Sequence, residues 1–99
     1  MRIAKVRGTV VSTYKEPSLQ GLKFLVVQFM DDQGQPMDDY EVAADTVGAG
    51  LDEWVLVSRG SQARRVRDCD TRPIDAAVIA IIDTITLANR TVYSKKADY

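Results

Sequence analysis

Residues 31–36, DDQGQP, set turn chemistry between two runs of strand-forming residues, and this arrangement constrains the fold more than any other feature. Asp, Gly and Pro favour the backbone geometries of a reversal, so KFLVVQFM (23–30) and MDDYEVAA (37–44) are expected to return on each other as a hairpin. The first run carries apolar groups on both parities, which asks for cover on both faces. In the second, Asp39 and Glu41 share one parity and Tyr40 and Val42 the other, as in a strand with one exposed face.

The same reading extends along the chain. Arg2 to Tyr14 is rich in β-branched residues and reads as one long strand, with Gly8 suited to a bulge where a strand curls round a barrel. KEPSLQGL (15–22) is a loop, Asp45 to Asp52 with Gly48 and Gly50 is a tight connection, and EWVLVS (53–58) is a further strand. Gly60-Ser61 opens an arginine-rich stretch in which Ser61 is placed to cap a single helical turn over 62–65. DAAVIAIIDTITL (75–87) favours strand through its isoleucines and Val78, although its periodicity alone leaves a helix open. Asn89-Arg90 is expected to turn the chain before a short strand at 91–94. Short strands with turn-rich links predict an all-β barrel, a closed form that removes exposed sheet edges.

Composition narrows the functional classes. At 45% hydrophobic and 27% charged residues, the 99-residue chain can pack one core and is not of disordered type. No apolar run approaches the ~20 residues of a membrane-spanning helix, and the basic N-terminus lacks the apolar region of a signal peptide. A lone cysteine, Cys69, suits a reducing cytoplasm. The absence of histidine removes His-based triads and His metal sites. Charge is segregated: residues 24–58 hold eight acidic side chains and no Lys or Arg, while 59–72 hold five arginines. Such a chain either presents complementary surfaces to copies of itself or interleaves the segments on folding.

Individual motifs argue for structure before chemistry. Gly48-Ala49-Gly50 lacks the third glycine and the helix of a dinucleotide site, and Glu53 would repel a phosphate. The carboxylates Asp31, Asp32, Asp38 and Asp39 flank a turn without calcium-loop spacing. Cys69 lies between Asp68 and Asp70, which oppose a thiolate. The arginines have no aromatic residue among them to stack bases, so other protein surfaces or water are their expected partners. Asn89-Arg90-Thr91 matches a glycosylation sequon by chance, given no secretion signal. Asp83 stands within the most apolar segment; if buried, it needs hydrogen-bond donors and marks a subunit interface or a tied-down loop.

GTVVST (8–13), PSLQGLKFLVVQ (17–28), DTVGAGLDEWVLVSRGSQAR (45–64) and RPIDAAVIAIIDTI (72–85) together resemble the EutN/CcmL family of bacterial microcompartment vertex proteins, in its carboxysome branch. The family's frequent GAG-x-G-E is here Gly48-Ala49-Gly50-Leu51-Asp52-Glu53, and its common G-I-I-D begins with Ala80. The resemblance implies a small five-stranded OB-like barrel over residues 1–88 with at most one or two short helical turns. Residues 89–99 then form a C-terminal strand or tail packed on the barrel or on a neighbouring subunit. It also implies a non-catalytic homopentamer without cofactor or metal, partnered by hexameric carboxysome shell proteins and lying in the carboxysome shell of the cytoplasm. Gly48, Ala49, Gly50, Glu53, Ser61 and Asp83 are the expected subunit-interface or near-axis residues, and Arg64 and Arg65 the expected facet contacts. The competing reading of the residues is an OB-like module for single-stranded nucleic acid.

Overall fold

A computed structural model describes residues 1–13, 15–60, 63 and 74–98. Its strands are β1 (Arg2–Val10), β2 (Lys23–Met30), β3 (Pro36–Asp45), β4 (Trp54–Arg59), β5 (Ala76–Ile81), β6 (Thr84–Leu87) and β7 (Arg90–Ser94), with 3-10 turns at Pro17–Leu19 and Lys95–Asp98. β1 to β5 close a barrel in the order β1-β2-β3-β5-β4, the five-stranded OB-like form expected. The contacts round the barrel are antiparallel except at the β3–β5 seam, where Ala44 faces Ala77 and Asp45 faces Val78 in parallel.

The β1–β2 register slips between Val6 and Gly8, which places the irregularity beside the glycine. β1 ends at Val10, earlier than its composition suggests, because Phe24 near the start of β2 is its last partner there. Val11 beyond it is 92% exposed. The barrel interior is filled by fully buried side chains such as Val6, Leu25, Val27, Phe29, Val55 and Val78. β2 is covered on both sides, as its two apolar parities require: Leu19 and Leu22 of the preceding loop form a second cluster with Phe24, Ala44 and Ile74.

The segment 75–87 is two strands, not one. The ladder of β5 stops at Ile81, Ile82 donates its N–H to the Trp54 carbonyl at 2.8 Å, and the chain leaves the barrel at Asp83. β6 then pairs with β7 as a separate two-stranded sheet. The reversal falls on Ala88 (φ 50) and Asn89 (φ 64), one residue earlier than Asn89-Arg90, because a two-residue hairpin turn needs two left-handed positions. This hairpin lies over one end of the barrel. Tyr93 stacks on Trp54 with ring centroids 4.3 Å apart and planes at 17°, in a cluster completed by Met30 and Ile82. Arg90 donates to Gln33 Oε1 at 2.6 Å across the same junction.

Candidate assembly surfaces

The loop from Asp45 to Glu53 is held both by its own hydrogen bonds and by contacts to the rest of the subunit. Asp45 Oδ1 accepts the N–H groups of Val47, Gly48 and Ala49 at 3.1, 3.0 and 3.3 Å. Gly48 takes a left-handed backbone (φ +76) with open space where a Cβ would stand, and Asp52 takes another (φ 67), a conformation Asp tolerates better than most residues. Gly50 is not left-handed; its N–H donates to Glu53 Oε1 at 2.6 Å, and a Cβ there would lie 3.3 Å from that same oxygen. Ala49 is fully buried in the barrel core of its own subunit. The other Glu53 oxygen receives Lys95 Nζ at 2.7 Å, tying the loop to the C-terminal 3-10 turn. The Lys95 hydrogen bond, with help from the Gly50 N–H, holds the Glu53 carboxyl below its usual range, outweighing the opposing effect of burial.

Asp83 is exposed within the single subunit, where the polar break between β5 and β6 leaves it outside the barrel. Its carbonyl accepts the Lys95 N–H at 2.9 Å. The condition of burial is thus not met within one subunit, because the apolar strand β5 ends just before Asp83. Ser61, Arg64, Arg65 and Cys69 lie outside the described residues.

β3 carries the feature the sequence left undecided, namely which of its faces turns inward. Asp39 and Glu41 are the less exposed pair, whereas Tyr40 is 54% and Val42 49% exposed. The carboxylates turn inward because cations wait there. Arg2 Nη1 meets Asp39 Oδ2 at 3.0 Å, and Arg59 Nε stands 2.8 Å from Glu41 Oε2, an ion pair without the alignment of a hydrogen bond. Both guanidinium groups also lie over the ring of Phe29, at 3.8 Å for Arg2 and 5.1 Å for Arg59. Arg7–Asp52 and Lys95–Glu53 complete the described ion pairs, and in each of the four the acid comes from the run 24–58. Folding thus pairs four of the eight acids of 24–58 with cations, one of them Arg59, and leaves apolar groups facing out. Alternation of Tyr40 and Val42 with two acids was the available signal; what it lacked was the position of Arg2 and Arg59.

The aromatic residues are poorly placed to stack bases. Trp54 and Tyr93 are spent on each other, Phe29 is buried and Phe24 is half-buried, leaving Tyr40 as the exposed aromatic side chain among the described residues. Among the same residues, no group of three His, Cys, Asp or Glu side chains gathers to hold a metal ion, and no helix is long and apolar enough to cross a membrane.

A family profile described as "Ethanolamine utilisation protein EutN/carboxysome" matches residues 1–83. The chain belongs to the EutN/CcmL family. The EutN/CcmL match ends where the barrel does, with the β6–β7 hairpin beyond it. One relative, the carboxysome shell vertex protein CcmL of Synechococcus elongatus, is 77% identical over 96 residues, 97% of each chain. The solved structure of Gloeobacter violaceus CcmL superposes with a TM-score of 0.93 at 64% identity, covering 97% of this chain and 99% of that one. GrpN of Rhodospirillum rubrum, a pentameric microcompartment shell protein, superposes at 0.80 with 47% identity, covering 90% of this chain and all of its own (100%).

Proposed function

We propose that this chain is a structural protein of the carboxysome shell, forming homopentamers that occupy the five-fold vertices and let the shell close. The observation that carries this reading is the 77% identity to a shell vertex protein along 97% of both chains. The outward Tyr40 and Val42 support it physically, since apolar groups displayed together on a strand gain most when another surface covers them. A five-membered ring is heterologous: one patch of each subunit meets a different patch of the next, and the rotation closes. A hexagonal lattice stays flat until five-fold corners are introduced, so the contribution is geometric and calls for no catalytic group.

In this reading the facets are tiled by hexameric shell proteins, and the protein supports carbon dioxide fixation by sealing the compartment in which it occurs. We assign the exposed Gly48 and Gly50, with Glu53 and Asp83, to the subunit contact or the neighbourhood of the axis, and Arg64 and Arg65 to facet contacts. Ala49, assigned with them, has its side chain buried in its own subunit's core. Native mass spectrometry tests the ring: a mass of five subunits is expected. A stable monomer at micromolar concentration across low and high salt overturns it. Deletion in a carboxysome-bearing cell should give elongated or open compartments, and regular closed polyhedra in that strain overturn the vertex role.

A further inference from the structure

The β6–β7 hairpin and the barrel enclose a groove of about 140 Å³ whose walls are Ile3, Trp54, Ile85, Leu87 and Val92. A cavity of roughly 150 Å³ is enough for a benzene ring, so the groove takes one large apolar side chain and not a whole cofactor. Leu87 is 44% exposed at its edge, an apolar group left for something else to cover. The lip has a different chemistry. Asp31 and Asp32 stand beside the apolar walls, and among the described residues neither has an ion-pair partner. Asp31 Oδ1 is held by the N–H groups of Gln33 and Gln35 at 2.8 and 2.9 Å, which fixes that carboxylate in place. The nearby Arg90 is engaged by Gln33.

The groove is preformed. A Cβ at Gly34 would lie 2.9 Å from Val92 Cγ1, so the hairpin is seated on the β2–β3 turn as closely as a bare glycine allows. Its position is held further by the Trp54–Tyr93 stack and the Lys95–Glu53 ion pair, so a ligand does not have to order it.

We infer that this groove is a docking site for a peptide segment of another protein, one that presents a large apolar side chain next to a lysine or arginine. The apolar side chain enters between Trp54, Leu87 and Val92, and the cation lies against Asp31 and Asp32. Charge complementarity selects this occupant over an acidic or neutral segment. The inference does not depend on the number of subunits in the ring.

The test uses the full chain with N-acetyl-Phe-Lys-amide and N-acetyl-Phe-Glu-amide as probes, followed by NMR at the indole N–H of Trp54, the sole tryptophan. The lysine probe should shift that signal saturably and bind roughly two- to fivefold more tightly than the glutamate probe, the yield of an exposed ion pair. The preference should vanish in Asp32→Asn and at high salt. Leu87→Lys should abolish binding while native mass spectrometry shows the same assembly as the unaltered protein. Equal binding of the two probes, or no response at Trp54, overturns the inference. Loss of the assembly on Leu87→Lys also overturns it, because the groove is then covered by a second copy of this chain. A change in subunit number in the unaltered protein bears on the pentamer alone.

Discussion

Replacing Tyr93 by alanine tests how firmly the hairpin is fastened. Tyr93 is 8% exposed and lies 4.3 Å, centroid to centroid, from Trp54. Truncating a buried large aromatic residue costs about 3–5 kcal/mol, of which stacking geometry supplies about 0.5–1.5 kcal/mol beyond the buried area. Tyr93→Leu, which keeps much of the apolar bulk, should therefore lose about 1 kcal/mol. The alanine variant meets a ceiling. β6 and β7 form a sheet apart from the barrel, and a lone two-stranded hairpin is marginal in water, so the loss cannot exceed the free energy of docking. The assay is urea unfolding at fixed protomer concentration, because an oligomer's apparent stability depends on that concentration. Trp54 fluorescence reports the stack and far-ultraviolet circular dichroism the barrel. In Tyr93→Ala the fluorescence transition should move to lower urea and precede the barrel transition, departing from two-state behaviour. Coincident transitions at the original midpoint would refute the docking argument.

Three further outcomes are expected. Glu53 has a folded-state pKa below its ordinary 4.5, so its contribution is fully present above that value and disappears as pH falls through the folded pKa. Glu53→Gln should be destabilised at pH 7 by about 1.5–3 kcal/mol, as for lost hydrogen bonds to a charged group, with the gap to wild type closing in thermal melts below pH 4.5. Tyr40→Ser with Val42→Lys should leave the barrel's circular dichroism intact, since both side chains face out, while reducing the subunit number seen by native mass spectrometry. Asp83→Ala should leave the unfolding of the dissociated subunit within about 0.5 kcal/mol of wild type, as for an ordinary surface position, and a larger loss there would contradict its exposure in the subunit.

The barrel strands were legible because each combines β-branched content with turn residues at its ends, and Gly8 correctly marked the irregularity in β1. The split of 75–87 was not, because apolar residues on both parities mask a change of sheet. The polar break at Asp83 and the Thr-Ile-Thr-Leu alternation after it were the visible signs. The segment 45–52 reads as a tight connection, but its two glycines differ in role: Gly48 supplies a left-handed backbone and Gly50 a close N–H to Glu53. Which face of β3 turned inward could not be read locally. The deciding partners, Arg2 and Arg59, lie on other strands, 37 and 18 residues from Asp39 and Glu41 in sequence, and meet them only when the barrel closes. The Trp54–Tyr93 stack spans a similar separation and was equally invisible.

The parallel seam has a bearing on the order of events after synthesis. β1, β2 and β3 meet through antiparallel neighbours in sequence, so loop closure costs them little and this meander can assemble early. β5 reaches β3 only after residues 46–75 have been made, and it is joined there at Ala44–Ala77 and Asp45–Val78. Closure of the hoop therefore comes late. Until it does, the β5-facing edge of β3 is an open template for a neighbouring chain, on the same strand whose outer face shows Tyr40 and Val42. A subunit that meets its neighbours too soon risks pairing through that edge, so each hoop has to shut before the corner it belongs to is built.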